Sequence, residues 1–212
     1  MAITIREIRA QLDRLRTADP KYQLFGAKSH RYKLNAPLAG ESVARFEQKH
    51  EITLPIDYSA FMQELGNGGA GTFYGIFPLG EWDEGVWEEE HGLVGRLSSP
   101  FPHQTVWNLP VKRLEPPESF DSNEEEDEWH QKLDAEYYDS TLVIGAIPIC
   151  HHGCALRTWL VVTGPERGHV WFDGRAQDTG IAPHQGNGGE RLTFGDWYAQ
   201  WLNQSLAELR VR

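Results

Sequence analysis

The sequence predicts an α+β fold in which helices pack around an antiparallel or mixed β-sheet. Apolar residues recur at helical spacing through the first 65 residues and again after residue 193. Residues 140–172 instead contain β-branched and aromatic runs separated by turn signals. Helical and strand patterns that are segregated along the chain are typical of α+β proteins. The 212 residues are expected to form one domain, 1–212, with an irregular acidic insertion at about 80–139.

The predicted helices have apolar stripes or capping signals. In the first, Ile5, Ile8, Leu12 and Leu15 lie on one face. Thr193 can cap the last helix, with Asp196 three residues further on. The sequence predicts five helices. The first begins at residue 5 and ends at 16–19, the next three lie at 41–50, 55–65 and 121–138, and the last follows Thr193.

The stretch Leu54–Leu79 predicts a helix, a glycine break and a strand. Pro55 suits the first helical position, and Gly66 is expected to end the helix in a left-handed conformation. Residues 72–77 are aromatic and β-branched, and are predicted to form a strand. A phosphate loop requires the opposite order, a strand before the glycines and a helix after them, so the glycines indicate a tight turn.

Later strands are predicted from β-rich runs. Residues 142–147 form the first, and Pro148 indicates an edge strand or a strand end. Residues 159–163 and 169–172 flank a five-residue turn and predict a hairpin. Residues 174–190 are interpreted as a loop.

Three segments resemble the SUKH superfamily, named for a yeast cell-wall-synthesis regulator and its bacterial relatives. They are FEQKHEITLPIDYSAFMQELGNGGAGTFYGIFPLG, ICHHGCALRTWLVVTGPERGHVWFDGR (149–175) and LTFGDWYAQWL (192–202). The resemblance covers about residues 32–79 and 140–202. Glu51 and Ala155 occupy positions where relatives usually have glycine, and both positions are expected to be turns.

The resemblance implies a SUKH-like fold and a non-catalytic protein-binding module. For a bacterial chain it implies an immunity protein that neutralises a cognate toxin by direct binding, often a nuclease or another nucleic-acid-modifying enzyme. The alternatives are a regulatory or scaffolding protein that binds a host partner, and a metalloprotein or enzyme that uses Cys150–Cys154. Whether the neighbouring gene encodes a toxin would distinguish an immunity protein from the first alternative. Metal analysis of the purified protein would test the second.

The negative charge is concentrated in two segments. The chain carries a net charge of −11, and residues 81–90 and 115–139 together carry −16, which leaves +5 for the remainder. Such concentrated charge repels nucleic acid and anionic lipid, and attracts a basic protein surface. The predicted partner-binding residues are Trp82, Asp83, Glu84, Trp87, Glu88, Glu89, Glu90, Glu124, Glu125, Glu126, Asp127 and Glu128.

Each part of this acidic surface also has a purely structural interpretation. The carboxylates can form a solvated face, and those in the first turn of the 121–138 helix complement the helix dipole. The indoles of Trp82 and Trp87 either cap the core or contribute to recognition, where Trp is enriched. The sequence leaves these alternatives open.

Cys150, His151, His152 and Cys154 are the candidates for metal ligation. Four donors within five residues could begin a zinc site, but a second donor pair at zinc spacing is absent from the sequence. His103, His130, His169 and His184 are isolated further candidates, and Asp173 and Asp178 are candidate carboxylates. The favoured interpretation is a turn between strands in which cysteine packs as a small apolar residue, with no cofactor and no catalysis.

The sequence predicts a cytoplasmic protein. Two cysteines are too few for a disulfide framework, no apolar run reaches the roughly 18 residues of a membrane span, and MAITIREIRAQL does not resemble a signal peptide. Neither membrane nor nucleic acid is expected as a partner. The oligomeric state does not follow from the sequence.

Overall fold

The computed structural model describes residues 4–82, 85–86 and 96–211. The α-helices of these ranges are α1 (Ile5–Ala18), α2 (Ala27–His30), α3 (Gly40–His50), α4 (Ile56–Ala60), α5 (Val111–Leu114), α6 (Asn123–Tyr137) and α7 (Phe194–Val211). The strands are β1 (Glu81–Trp82), β2 (Gly85–Val86), β3 (Ala146–Gly153), β4 (Leu156–Val161), β5 (Val170–Asp173) and β6 (Ile181–Pro183). This arrangement confirms the predicted α+β class.

The main sheet is an antiparallel meander in the order β3–β4–β5–β6. The predicted hairpin is present, with Trp159 opposite Trp171 in the β4–β5 register. Pro148 lies in β3, an edge strand, which confirms the expectation drawn from its missing amide. Single bridges extend both edges, since Ile76 pairs with Cys150 and Trp107 pairs with Ile181.

Helices α1 and α7 contact each other and contribute to the hydrophobic core. The Ile8, Leu12 and Leu15 side chains of α1 are buried, as its apolar stripe predicts. A capping box of Thr4 and Glu7 begins this helix. The predicted cap of α7 is also present, because the Asp196 amide donates to Thr193 Oγ1 at 3.2 Å.

Aromatic side chains join α7 to the turn that follows α4. Phe61, which begins a π-helical turn (Phe61–Leu65), lies 5.1 Å from Phe194 and 4.9 Å from Tyr198 between ring centroids. The buried Tyr198 hydroxyl donates to the Ala70 carbonyl at 2.7 Å. The helix and glycine segment of Leu54–Leu79 therefore pack directly on α7.

Two predictions for Leu54–Leu79 are wrong. Gly66 has φ 173°, which is extended rather than left-handed. Glycine is needed there because a Cβ would lie 2.6 Å from the Asn35 carbonyl oxygen. Residues 72–77 form turns rather than a strand, since Phe73 has φ 50° and Gly75 has φ 108°, and Ile76 alone makes bridges.

Two later predictions also need correction. The 142–147 strand begins only at Ala146, because a 3₁₀ turn (Ser140–Val143) precedes it and Asp139 caps that turn through the Thr141 amide. The predicted loop 174–190 contains strand β6 and a 3₁₀ turn (Arg175–Gln177).

Substitution of Gly26 tests how closely two loops of this fold approach each other. A Cβ at Gly26 (φ +76°) would lie 1.5 Å from the Phe73 carbonyl oxygen, whereas a Cβ at Gly189 (φ +83°) would meet nothing within 4 Å. Gly26→Ala is therefore expected to lower the free energy of unfolding by about 3 kcal/mol or more, and Gly189→Ala by only about 1 kcal/mol from backbone strain. Denaturant unfolding of both variants checks this difference. Equal losses would show that the close approach is absent.

Candidate partner-binding surface

The first turns of α6 carry five consecutive acidic side chains. The side chains of Glu124, Glu125, Glu126, Asp127 and Glu128 are all exposed. The predicted helix thus presents its carboxylates to solvent. We call these five residues the acidic surface.

The local sequence explains why α6 begins where it does. Ser122 is the N-cap, and its hydroxyl accepts the Glu125 amide at 3.2 Å. Glu125 Oε2 in turn accepts the Asp121 amide at 2.8 Å. Hydrogen bonds from its own backbone amide and from Ser122 lower the pKa of Glu124, so this carboxylate stays ionised. The helix dipole also favours negative charge at this end.

Most of the acidic surface is not neutralised by neighbouring cations. Lys132 Nζ lies 3.1 Å from Glu128 Oε2, and Arg113 pairs with Glu136 near the other end of α6. Among the described residues, no lysine or arginine lies within ion-pair distance of Glu124, Glu125, Glu126 or Asp127. Their charge is therefore available to a basic partner.

A buried ion pair holds the C-terminal end of α6. Arg175 donates through Nε to Asp173 Oδ1 at 2.8 Å and through Nη2 to Asp173 Oδ2 at 2.6 Å. Both residues are 6% exposed. Arg175 Nη1 also donates to the Tyr137 carbonyl at 2.8 Å, where a cation complements the C-terminal end of the helix dipole. Trp159 Nε1 donates to Asp173 Oδ2 at 3.2 Å, which links the pair to β4.

Tyr137 gives α6 a second attachment. Its side chain is buried, and its hydroxyl donates to Asn108 Oδ1 at 2.5 Å. Burial raises the pKa of this hydroxyl to about 12, so it remains a donor. The Asn108 side chain in turn donates to the Asp178 carbonyl at 2.7 Å. The acidic surface therefore lies on a helix whose far end is fixed by buried contacts.

The other half of the predicted surface lies largely outside the described residues. Asp83, Glu84, Trp87, Glu88, Glu89 and Glu90 belong to this undescribed part. The backbone of Trp82 is described, and it pairs with Gly85 in the β1–β2 ladder. Because these residues lie outside the described ranges, the union of the two acidic segments in one surface stays a prediction.

The Cys150–Cys154 segment places its donors in different environments. Cys150 is fully buried, its thiol donates to the Thr72 carbonyl at 3.4 Å, and burial raises its pKa. Cys154 is instead exposed with φ 49°, so the expectation that it packs as an apolar residue is wrong. The His151 side chain lies outside the described part of the structure.

His152 lies in an aromatic and hydroxyl environment. Its ring stacks on Phe73 with centroids 3.7 Å apart, and its Nε2 lies 2.7 Å from Thr158 Oγ1. The same hydroxyl lies 3.3 Å from His184 Nε2. Within the described ranges, no group of three histidine, cysteine or acidic side chains is arranged to hold a metal ion.

Apart from His184, which meets His152 at the Thr158 hydroxyl, the isolated histidine candidates remain separate. His103 Nε2 lies 2.8 Å from the Leu142 carbonyl and its pKa is lowered by burial. His169 Nδ1 lies 3.4 Å from Glu166 Oε2, and His130 packs on Trp129. Burial lowers the pKa of His184 to about 4. The candidate carboxylate Asp173 serves in the Arg175 pair, while the backbone carbonyl of Asp178 accepts from Asn108.

Sequence reasoning missed the role of Arg175. The sequence indicates Asp173 only as a candidate carboxylate, because the partner of a buried arginine is not visible in a sequence. An arginine two residues after an acid at the end of a β-rich run is the signal that could have indicated the pair.

Comparisons of this chain with protein-family models, with curated proteins and with solved structures give no match. The likeness to SUKH proteins therefore remains a resemblance. None of the helices in the described ranges has the length and hydropathy that a membrane span requires.

Replacing Arg175 tests the attachment of α6. Arg175→Met leaves Asp173 buried without its partner and should lower the free energy of unfolding by about 3–5 kcal/mol. Lys132→Met breaks the exposed pair with Glu128 and should cost less than about 0.5 kcal/mol. Combining Arg175→Met with Asp173→Asn should recover part of the loss because no uncompensated charge remains. Chemical denaturation measures all three, and equal losses for Arg175→Met and Lys132→Met would contradict the role given to the pair.

The buried His184 predicts a loss of stability in acid. Its pKa falls from 6.5 to about 4 on folding, so the unfolded chain binds more protons between these values. The free energy of unfolding should therefore fall as pH drops from about 6.5 to 4, by about 2–3 kcal/mol from this group. His184→Gln should reduce this pH dependence without abolishing it, because burial also lowers the pKa of His30 to about 4. His130→Gln, which removes an exposed histidine, is the control and should retain the wild-type slope.

Proposed function

We propose that this protein is a non-catalytic immunity protein of the cytoplasm that neutralises a cognate bacterial toxin by direct binding through the acidic surface of α6. The observation that carries the proposal is the exposure of Glu124–Asp127 without neutralising cations, on a helix fixed at its other end by Arg175. The SUKH resemblance supplies the class of partner, a toxin that acts on nucleic acid.

The electrostatics suit such a partner. An enzyme that binds nucleic acid has a basic cleft that holds phosphates. A carboxylate surface can occupy that cleft in place of the phosphates, and long-range attraction accelerates the encounter. Long-range attraction also makes the association rate depend on salt.

The fixed position of α6 favours tight binding. Ordering a flexible segment on association costs free energy that reduces affinity. The Arg175 contact to the Tyr137 carbonyl and the Tyr137 contact to Asn108 supply that order before the partner arrives. Trp129 and Leu133 lie half-buried on α6 between the acidic surface and these contacts.

The direct experiment is co-expression with the product of the adjacent open reading frame. The two proteins should co-purify, and the purified chain should suppress the toxic activity of its partner at equimolar ratio. A partner that neither co-purifies nor loses activity would contradict the proposal.

Neutralising the acidic surface should slow association with that partner. The triple variant Glu124→Gln, Glu126→Gln, Asp127→Asn should lower the association rate by about tenfold at low salt and flatten its salt dependence. The matched control removes three exposed carboxylates elsewhere: Glu41→Gln, Glu51→Gln, Glu64→Gln. Stopped-flow kinetics over a salt series measures both variants. Equal slowing by the two triple variants would show that only net charge matters.

A further inference from the structure

A second surface of the described chain pairs exposed aromatic rings with lysines. Phe25 is 66% exposed and Tyr74 is 41% exposed, and their ring centroids lie 5.6 Å apart. Together with Lys21, Tyr22 and Lys28 they line a groove. We call these five residues the aromatic groove.

The base of the aromatic groove is closely packed. The Phe73 ring lies beneath, 5.9 Å from Phe25 in an edge-on arrangement, and stacks on His152. Gly26 approaches the Phe73 backbone so closely that no side chain would fit. A Cβ at Gly153 would lie 3.2 Å from the Tyr74 ring, which places this ring against the end of β3. The two exposed rings therefore have fixed supports.

Unfavourable backbone conformations gather around the aromatic groove. Eight described residues other than glycine have positive φ. Six of the eight belong to the groove, to its base or to the adjoining segments: Tyr22, Arg31, Tyr32, Phe73, Cys154 and Ala155. Bulky residues rarely adopt this conformation, and such strain persists where surrounding structure imposes it, often at functional sites.

The charge of this region is opposite to that of the chain as a whole. Residues 20–40 include four lysines and arginines and no Asp or Glu, and residues 66–80 and 149–156 include no charged residue of either kind. Within the described residues, neither Lys21 nor Lys28 forms an ion pair with a carboxylate. Asp19, which precedes this range, is buried and accepts the Gln23 and Leu24 amides, so the exposed charges that line the groove are those of the two lysines.

We propose that the aromatic groove is a docking site for an acidic segment of a partner protein, with an apolar side chain of that segment packed on Phe25 and Tyr74. Lys21 and Lys28 would pair with its carboxylates. Aromatic residues are enriched at protein interfaces, and complementary charge fixes orientation. This second site is independent of the acidic surface and selects the opposite charge.

A protein segment fits the aromatic groove better than a nucleic acid does. The Phe25 and Tyr74 rings are tilted by 59° to each other rather than parallel, whereas single-stranded nucleic acid binds on platforms where successive bases stack. Two lysines on a chain of −11 also supply little of the cationic charge that phosphate binding uses.

The test is an NMR titration of the ¹⁵N-labelled full chain at low salt. The probe is a synthetic peptide that alternates glutamate with leucine, and the control peptide alternates glutamine with leucine. Shifts are expected at Lys21–Lys28 and Tyr74 with the glutamate peptide. Lys21→Gln with Lys28→Gln should weaken binding about tenfold, as should Phe25→Ser. Lys112→Gln with Lys132→Gln, which removes the same charge elsewhere, should leave binding unchanged.

Several outcomes would overturn this proposal. The glutamate peptide could cause no chemical-shift changes, or changes at residues outside the groove. The glutamine peptide could bind as tightly as the glutamate peptide, or the Lys21 and Lys28 double variant could bind the glutamate peptide with unchanged affinity. Tighter saturation of the same residues by oligothymidine would assign the groove to nucleic acid, and concentration-dependent shifts without peptide would assign it to a second copy of this chain. The peptide experiment probes the aromatic groove and not the acidic surface. A negative result would therefore leave the proposed binding of a toxin by the acidic surface intact.

Discussion

The structure around the candidate site depends on the need to pair one buried charge. Asp173 ends β5 almost without exposure, and an unpaired carboxylate there would be strongly unfavourable. Arg175 supplies the pair, but its guanidinium has further donors, and one of them binds the Tyr137 carbonyl. The Arg175 contact therefore helps to position the C-terminal end of α6 relative to the sheet, together with the Tyr137 contact to Asn108. Contacts in the interior, remote from the acidic surface, thus contribute to where this surface lies.

The two proposed surfaces give the molecule an uneven charge distribution. The carboxylates are concentrated in residues 81–90 and 115–139, while residues 20–40 around Phe25 carry only positive charge and residues 66–80 around Tyr74 carry no charge. A uniformly acidic protein would repel every acidic partner, whereas this distribution can favour different partners at different faces. The average composition, with a net charge of −11, conceals this property.

Periodic and capped segments could be predicted from the sequence, and segments shaped by distant contacts could not. Helix α1, the cap of α7 and the β4–β5 hairpin follow from local patterns. The turn at Phe73 does not, because an aromatic residue with positive φ requires packing by residues far along the chain. Strand β6 has only three residues and depends on its partners β5 and Trp107. Likewise the exposure of the acidic helix was predictable, but its attachment through Arg175 was not.

The hydroxyl of Thr158 has a consequence for the two imidazoles that approach it. A hydroxyl carries one proton, so it can donate to only one of His152 and His184. At least one of the two rings must therefore donate its own Nε2 proton to the oxygen, which has two lone pairs to accept such protons. The two rings therefore cannot both be the Nδ1–H tautomer: when the hydroxyl donates to one ring, the other ring must carry its proton on Nε2.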